Sequence, residues 1–126
     1  MSKKRILLVD DEADIVTILK RSLQNAGFEV QAYTDPNEAF ERYVPNYYDL
    51  LVFDFKMHKL NGFELYRKIQ QKDNNNNNAK VCFLSADETH YKQYQESMPQ
   101  LNADHFLHKP IALKDFVNRV KKLLLQ

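Results

Sequence analysis

The sequence predicts an α/β fold in which five parallel strands alternate with five helices. Short apolar runs alternate with longer segments of helical period, which is the pattern of a parallel sheet with crossover helices. Three of the runs are apolar throughout, as strands covered on both faces must be. With 126 residues the chain is also long enough to bury one core without disulfide staples.

The strands are "RILLV" (5–9), "FEVQAY" (28–33), "DLLVF" (49–53), "KVCFL" (80–84) and "DHFLH" (104–108). The first, third and fourth are the continuously apolar ones and belong in the middle of the sheet. Ile15, Ile18, Leu19 and Leu23 follow the first strand at helical spacing and stop before Gly27, a C-cap signal. In "TDPNEAFERY", Asp35 is placed to cap a second helix, Pro36 to be its first residue and Glu38 to close a capping box. "NGFELYRKI" repeats the device with Asn61 and Glu64 and starts a third helix. A weaker fourth helix is expected in "DETHYKQYQESM" before Pro99. The fifth runs through Leu113, Phe116, Val117, Val120 and Leu124 after Pro110. The run Asn74 to Asn78 combines poor helix formers with good turn formers and is expected to be a plain surface loop.

Bulk charge excludes some functions. Eighteen basic and seventeen acidic residues give a net charge of +1, so no overall field marks a nucleic-acid or membrane binder. Any specificity is local. No apolar run approaches the ~20 residues needed to cross a bilayer, and "MSKKR" leads into a strand without a signal-peptide pattern. The single Cys82 lies inside an apolar strand, as a core residue of a protein in a reducing cytoplasm would.

The chemistry lies at the strand ends. "ILLVDDE" ends a strand in three consecutive carboxylates, a costly arrangement unless a cation compensates it. In a parallel α/β sheet, residues at the carboxyl ends of the central strands meet in one crevice. That rule gathers Asp10 and Asp11, Asp54, Ser85 with Ala86, and Lys109 with Pro110. Taken singly, an Asp or Ser there is a cap or turn former and the Lys a solvated loop charge. Together, four strand ends deliver polar groups to one place. Three carboxylates make a hard-oxygen site suited to Mg²⁺, and Asp54 can attack phosphorus while Lys109, Ser85 and backbone N–H groups share the phosphoryl oxygens. Glu12 is expected just outside, in the first turn of helix one.

The chain resembles the receiver domain of two-component response regulators. "ILLVDDE", "DLLVFDFKM" followed by "NGFEL", "VCFLSA" and "HFLHKPI", in this order and spacing, carry the resemblance over essentially the whole chain. It implies a doubly wound, flavodoxin-like sheet of order 2-1-3-4-5 and a single receiver domain over residues 1–126. It implies that Asp54 accepts the phosphoryl group and that Mg²⁺ is held by Asp10, Asp11, Asp54 and the Lys56 main-chain carbonyl. Ser85 and Lys109 are implied to contact the phosphoryl group, Pro110 to follow a cis bond, and Ser85 and Phe106 to act as the switch pair. The implied partners are a histidine kinase or phosphotransfer protein and a downstream protein. The latter would meet a face of helix four, strand five and helix five that includes Tyr91, Tyr94, His105 and Phe106. Such a domain catalyses only its own phosphorylation and dephosphorylation.

Four positions depart from the family pattern. His58 stands where Pro is common, Asn61 where Asp is common, Asn102 where Gly is common, and His105 where a small or acidic residue is frequent. Asn61 still caps a helix and Asn102 still turns the chain, whereas His58 removes a rigid φ beside the acceptor. Two other readings are weaker. An aspartate-nucleophile phosphohydrolase typically has a second Asp where this chain has Lys56, and a non-phosphorylated interaction module predicts loss of an acid or the Lys. Lys56 and Asp87 are expected on opposite sides of the crevice mouth, where they can pair and cross the path of a hydrolytic water.

Overall fold

Strands form where the apolar runs are continuous. In the computed structural model, which describes residues 3–74, 79–87, 89–96 and 98–125, they are β1 (Arg5–Val9), β2 (Glu29–Tyr33), β3 (Leu50–Asp54), β4 (Lys80–Ser85) and β5 (Phe106–His108). All pair in parallel, in the order β2-β1-β3-β4-β5. Helices α1 (Ala13–Asn25), α2 (Pro36–Arg42), α3 (Gly62–Lys72), α4 (Thr89–Gln95) and α5 (Leu113–Leu125) connect or follow them.

The period-two alternation of the strands divides the core into two layers. Leu7, Val9, Leu51, Phe53, Val81 and Phe83 face one way and pack with Ala39 of α2 and Leu65, Tyr66 and Ile69 of α3. Ile6, Leu8, Leu50, Val52, Cys82 and Leu84 face the other way, against Val16, Leu19 and Leu23 of α1 and Phe116, Val120 and Leu123 of α5. The central strands are therefore buried on both faces, which is why they lack polar alternation. Cys82 is fully buried, and burial pushes its thiol up to about 12, as suits a core residue.

Local signals set the helix ends. Gly27, at φ +99, follows α1 in the left-handed conformation that a side chain would disfavour. Asn61 and Glu64 close the expected capping box on α3. Asp35 caps α2 through the Asn37 N–H, but Glu38 pairs with Arg42 one turn on rather than closing a box. The start of strand five differs from expectation. Residues 103–105 form a 3₁₀ turn in place of strand, because the Asn102 side chain accepts from the Asp104 N–H while the Asn102 N–H donates to His105 Nδ1. Local side-chain bonds have displaced the ladder there. Asn74 opens its loop at φ 54; the remaining Asn residues, 75–78, lie outside the described set, as does the side chain of Tyr94. Among the described residues no helix is long and apolar enough to cross a membrane.

Candidate functional site

The carboxyl ends of β1, β3 and β4 and the chain after β5 meet at one edge of the sheet. Asp54 is the last residue of β3 and Ser85 the last of β4, each one position inside the strand rather than just beyond it. Close backbone packing fixes the Asp54 end: the Phe55 N–H donates to the Leu84 carbonyl at 2.7 Å, and the Gly62 N–H to the Phe55 carbonyl at 2.8 Å. On the far side, the Lys109 N–H donates to the Ser85 carbonyl at 2.8 Å, and the Lys109–Pro110 peptide is cis, as the resemblance implies.

Carboxylate oxygens of Asp10, Asp11 and Asp54 lie within 4.8 Å of one another. Asp10 is fully buried and Asp54 nearly so. The Lys109 ammonium stands between those two, 2.8 Å from Asp10 Oδ2 and 2.9 Å from Asp54 Oδ1. The other Asp10 oxygen accepts from the Glu12 N–H at 3.0 Å. Burial pushes the Asp54 carboxyl up to about 6; Lys109 opposes the shift and the Asp10 charge adds to it. Burial works against the Lys109 ammonium too, but its bonds to Asp10 and Asp54 prevail and raise its pKa. Three carboxylates against one ammonium leave the crevice short of positive charge, so the donor set fits a hard divalent cation.

The sequence-predicted residues divide into two groups. Asp10, Asp11, Asp54 and Lys109 converge directly. Ser85 is buried at the same edge, but its hydroxyl donates to the Asp87 carbonyl at 2.9 Å and accepts from the Asp87 N–H at 3.1 Å. Phe106 is half-buried, its ring 5.4 Å from that of Phe83 and 4.9 Å from that of Tyr91. A cleft of about 290 Å³ joins Ser85 and Asp87 to Tyr91 and Phe106. Glu12 is the N-cap of α1 rather than part of its first turn, and is exposed.

One expectation fails. Among the described residues no ion pair joins Lys56 to Asp87, because the Asp87 carboxylate accepts from the Thr89 N–H at 2.9 Å and the Thr89 hydroxyl at 2.7 Å. A helix-initiating bond two residues away is easier to close than a link across the crevice to an exposed lysine. Sequence reasoning also missed two contacts of the loop after β3. The His58 N–H donates to Asp11 Oδ2 at 3.0 Å, and Lys59 Nζ meets Asp35 Oδ2 at 3.0 Å. Lys59 adopts φ +74, which no neighbouring residue signals.

A family model described as the response regulator receiver domain matches residues 6–121. The chain belongs to the response regulator receiver family. Receiver domains of two-component response regulators are phosphorylated on Asp and are generally non-enzymatic signalling domains. Among the receiver's relatives, the transcriptional regulatory protein PrrA of Mycobacterium tuberculosis is 34% identical over 124 residues, covering 98% of this chain and 51% of that protein. The chain thus spans about half the length of the curated relatives it matches. The non-phosphorylated HemR receiver domain of Leptospira biflexa superposes with a TM-score of 0.81 at 31% identity, covering 98% of this chain and 96% of that one. The response regulator TrrA of Thermotoga maritima, solved in complex with Mg²⁺ and a beryllium fluoride, gives 0.74 at 32% identity, covering 95% of this receiver and 98% of that chain.

Proposed function

We propose that this receiver takes a phosphoryl group from a phosphohistidine of a histidine kinase or phosphotransfer protein onto Asp54, and so changes a face presented to a downstream protein. The observation that carries the reading is Lys109 bridging Asp10 and Asp54, with Asp11 beside them. An ammonium already 2.9 Å from the acceptor oxygen needs little movement to meet an oxygen of a phosphoryl group placed there.

In the transfer, an Asp54 oxygen forms a bond to phosphorus as the P–N bond to the donor imidazole breaks, and the electron pair of that bond leaves on nitrogen. Asp10, Asp11, Asp54 and the Lys56 main-chain carbonyl would hold Mg²⁺, which when bound supplies positive charge to the phosphoryl oxygens. Lys109 binds a second phosphoryl oxygen and Ser85 a third. To donate there, the Ser85 hydroxyl gives up its bond to the Asp87 carbonyl, so occupancy of Asp54 is felt at the β4–α4 connection. Phe106 stands next along that path and turns inward, altering the face of α4, β5 and α5 that carries Tyr91 and His105. The proposal covers one receiver domain over residues 1–126, acting in the cytoplasm without direct contact to nucleic acid or membrane.

The test is acetyl phosphate or beryllofluoride with Mg²⁺, applied to the wild type and to Asp54→Asn. Modification of the wild type alone is expected. Equal modification of both would overturn the assignment of Asp54.

A further inference from the structure

Asp11 is the least buried of the three clustered acids, with its side chain 17% exposed. His58, on the loop after β3, reaches it from across the crevice. Its main-chain N–H donates to Asp11 Oδ2 at 3.0 Å, and its imidazole Nε2 lies 3.7 Å from the same oxygen. The two contacts differ in weight: the imidazole is 95% exposed and beyond hydrogen-bond length, whereas the N–H makes a charge-assisted bond of ordinary length.

We propose that His58 is a positioning residue of the acidic site, and that it acts through its main-chain N–H, holding Asp11 by one oxygen and leaving the other to serve a divalent cation. The inference rests on the reading of the crevice as a cation site. Proline, common at this position in the family, is the one residue that has no N–H to offer. The departure at His58 therefore exchanges a fixed φ for a donor. The loop is not left loose by the exchange, because the next residue, Lys59, ties it to Asp35 at 3.0 Å. The loops after β1 and β2 are thus both fastened to consecutive residues of the loop after β3.

A hydrogen bond that orients a ligand raises cation affinity by reducing the freedom lost on binding. The imidazole, exposed and distant, has little part in this. The order of affinities among substitutions separates the donor from loop stiffness. If the N–H matters, His58→Ala and His58→Gly should bind like the wild type and His58→Pro should bind worse. If stiffness matters, Pro should bind at least as well as the wild type and Gly worst.

Isothermal titration of Mg²⁺ into the metal-free wild type and these three variants decides it, with thermal melting to check that each is folded. The expected result is a Kd within about twofold of wild type for Ala and Gly and raised about fivefold or more for Pro, as loss of a bond to a charged group warrants. In the amide spectrum, the His58 N–H should also lose its hydrogen-bonded shift in Asp11→Ala, a readout that needs no metal. A Pro variant as tight as wild type, a Gly variant as weak as Pro, or an unmoved His58 amide would overturn the proposal and leave the cation site standing. A wild type that binds no Mg²⁺ would overturn both.

Discussion

A Cβ added at Gly62 would meet the main-chain carbonyl oxygen of Asp54 at 2.6 Å. The first residue of α3 therefore lies against the backbone of the residue proposed to accept the phosphoryl group. Gly62 is not needed for φ, since it is an ordinary helical position. It is needed for room, because the atom it would strike is backbone at the end of a central strand and has little freedom to yield.

Gly62→Ala should accordingly destabilise the fold by about 1–3 kcal/mol, the usual cost of overpacking, even though alanine is the better helix former. Urea unfolding measures the loss. The same substitution should slow modification of Asp54 by acetyl phosphate, because the strand end must move to admit the methyl group. A variant as stable and as reactive as the wild type would show that the α3 start adjusts freely.

Among the described residues Lys109 is the one cation in contact with both buried acids. Lys109→Ala leaves the carboxylates of Asp10 and Asp54 facing each other without it. In the absence of Mg²⁺ the variant should lose about 1–3 kcal/mol, less than for a fully buried pair because the lysine is 20% exposed. Adding Asp54→Asn, which removes one of the two charges, should restore part of that loss. Urea midpoints of the single and double variants compare the two, and a double variant no more stable than Lys109→Ala would count against charge crowding as the cause.

What could be read from the sequence was whatever depends on period and strand ends. Continuous apolar runs at Ile6 to Val9, Leu50 to Phe53 and Val81 to Leu84 mark strands buried on both faces, and the structure places all three centrally. Asp10 and Asp54 follow from them, since each ends or directly follows one of these strands, and Lys109 follows in the same way from the shorter β5. What escaped depends on competition between nearby partners. Asp104 and His105 read as strand, yet Asn102 captures both in a turn. Asp87 reads as a partner for Lys56, yet Thr89 is closer at hand. The His58 contact with Asp11 depends on how an irregular loop folds back, which hydrophobic period does not report.

His105 contributes one pH-dependent part of the stability. Burial lowers its pKa from the ordinary value of 6.5 and prevails over the Asn102 backbone and the Asp104 charge, which both pull the other way, while Lys80 adds to the lowering. Its Nδ1 accepts from the Asn102 N–H at 3.1 Å, which only the neutral ring can do. The unfolded chain thus takes up a proton at a higher pH than the folded one, so this contribution is present above 6.5 and is lost as pH falls through the lowered folded value. His105→Gln should flatten the decline in stability on acidification below 6.5, as followed by urea midpoints at a series of pH values. An unchanged slope would assign the decline to other groups.

Tyr43 and Asp73 form a buried pair away from the crevice, the phenol donating to Asp73 Oδ2 at 2.7 Å. Asp73 is the C-cap of α3, where the helix dipole disfavours negative charge, and among the described residues its buried Oδ1 has no hydrogen-bond partner. Burial first, and then the bond to Asp73, raise the Tyr43 phenol far above its ordinary range, so it remains a donor at any working pH. Among the described residues Tyr43 alone donates a side-chain hydrogen bond to this carboxylate, so Tyr43→Phe should cost about 1–3 kcal/mol. Asp73→Asn keeps an acceptor for Tyr43 while removing a charge with no ion-pair partner among the described residues, so it should cost much less or even stabilise. Once that charge is gone, the loss of Tyr43 should matter less, and the double variant should be more stable than the sum of the single effects predicts. Urea unfolding of the four proteins gives the coupling directly; strictly additive effects would mean that the buried charge contributes nothing to the need for Tyr43.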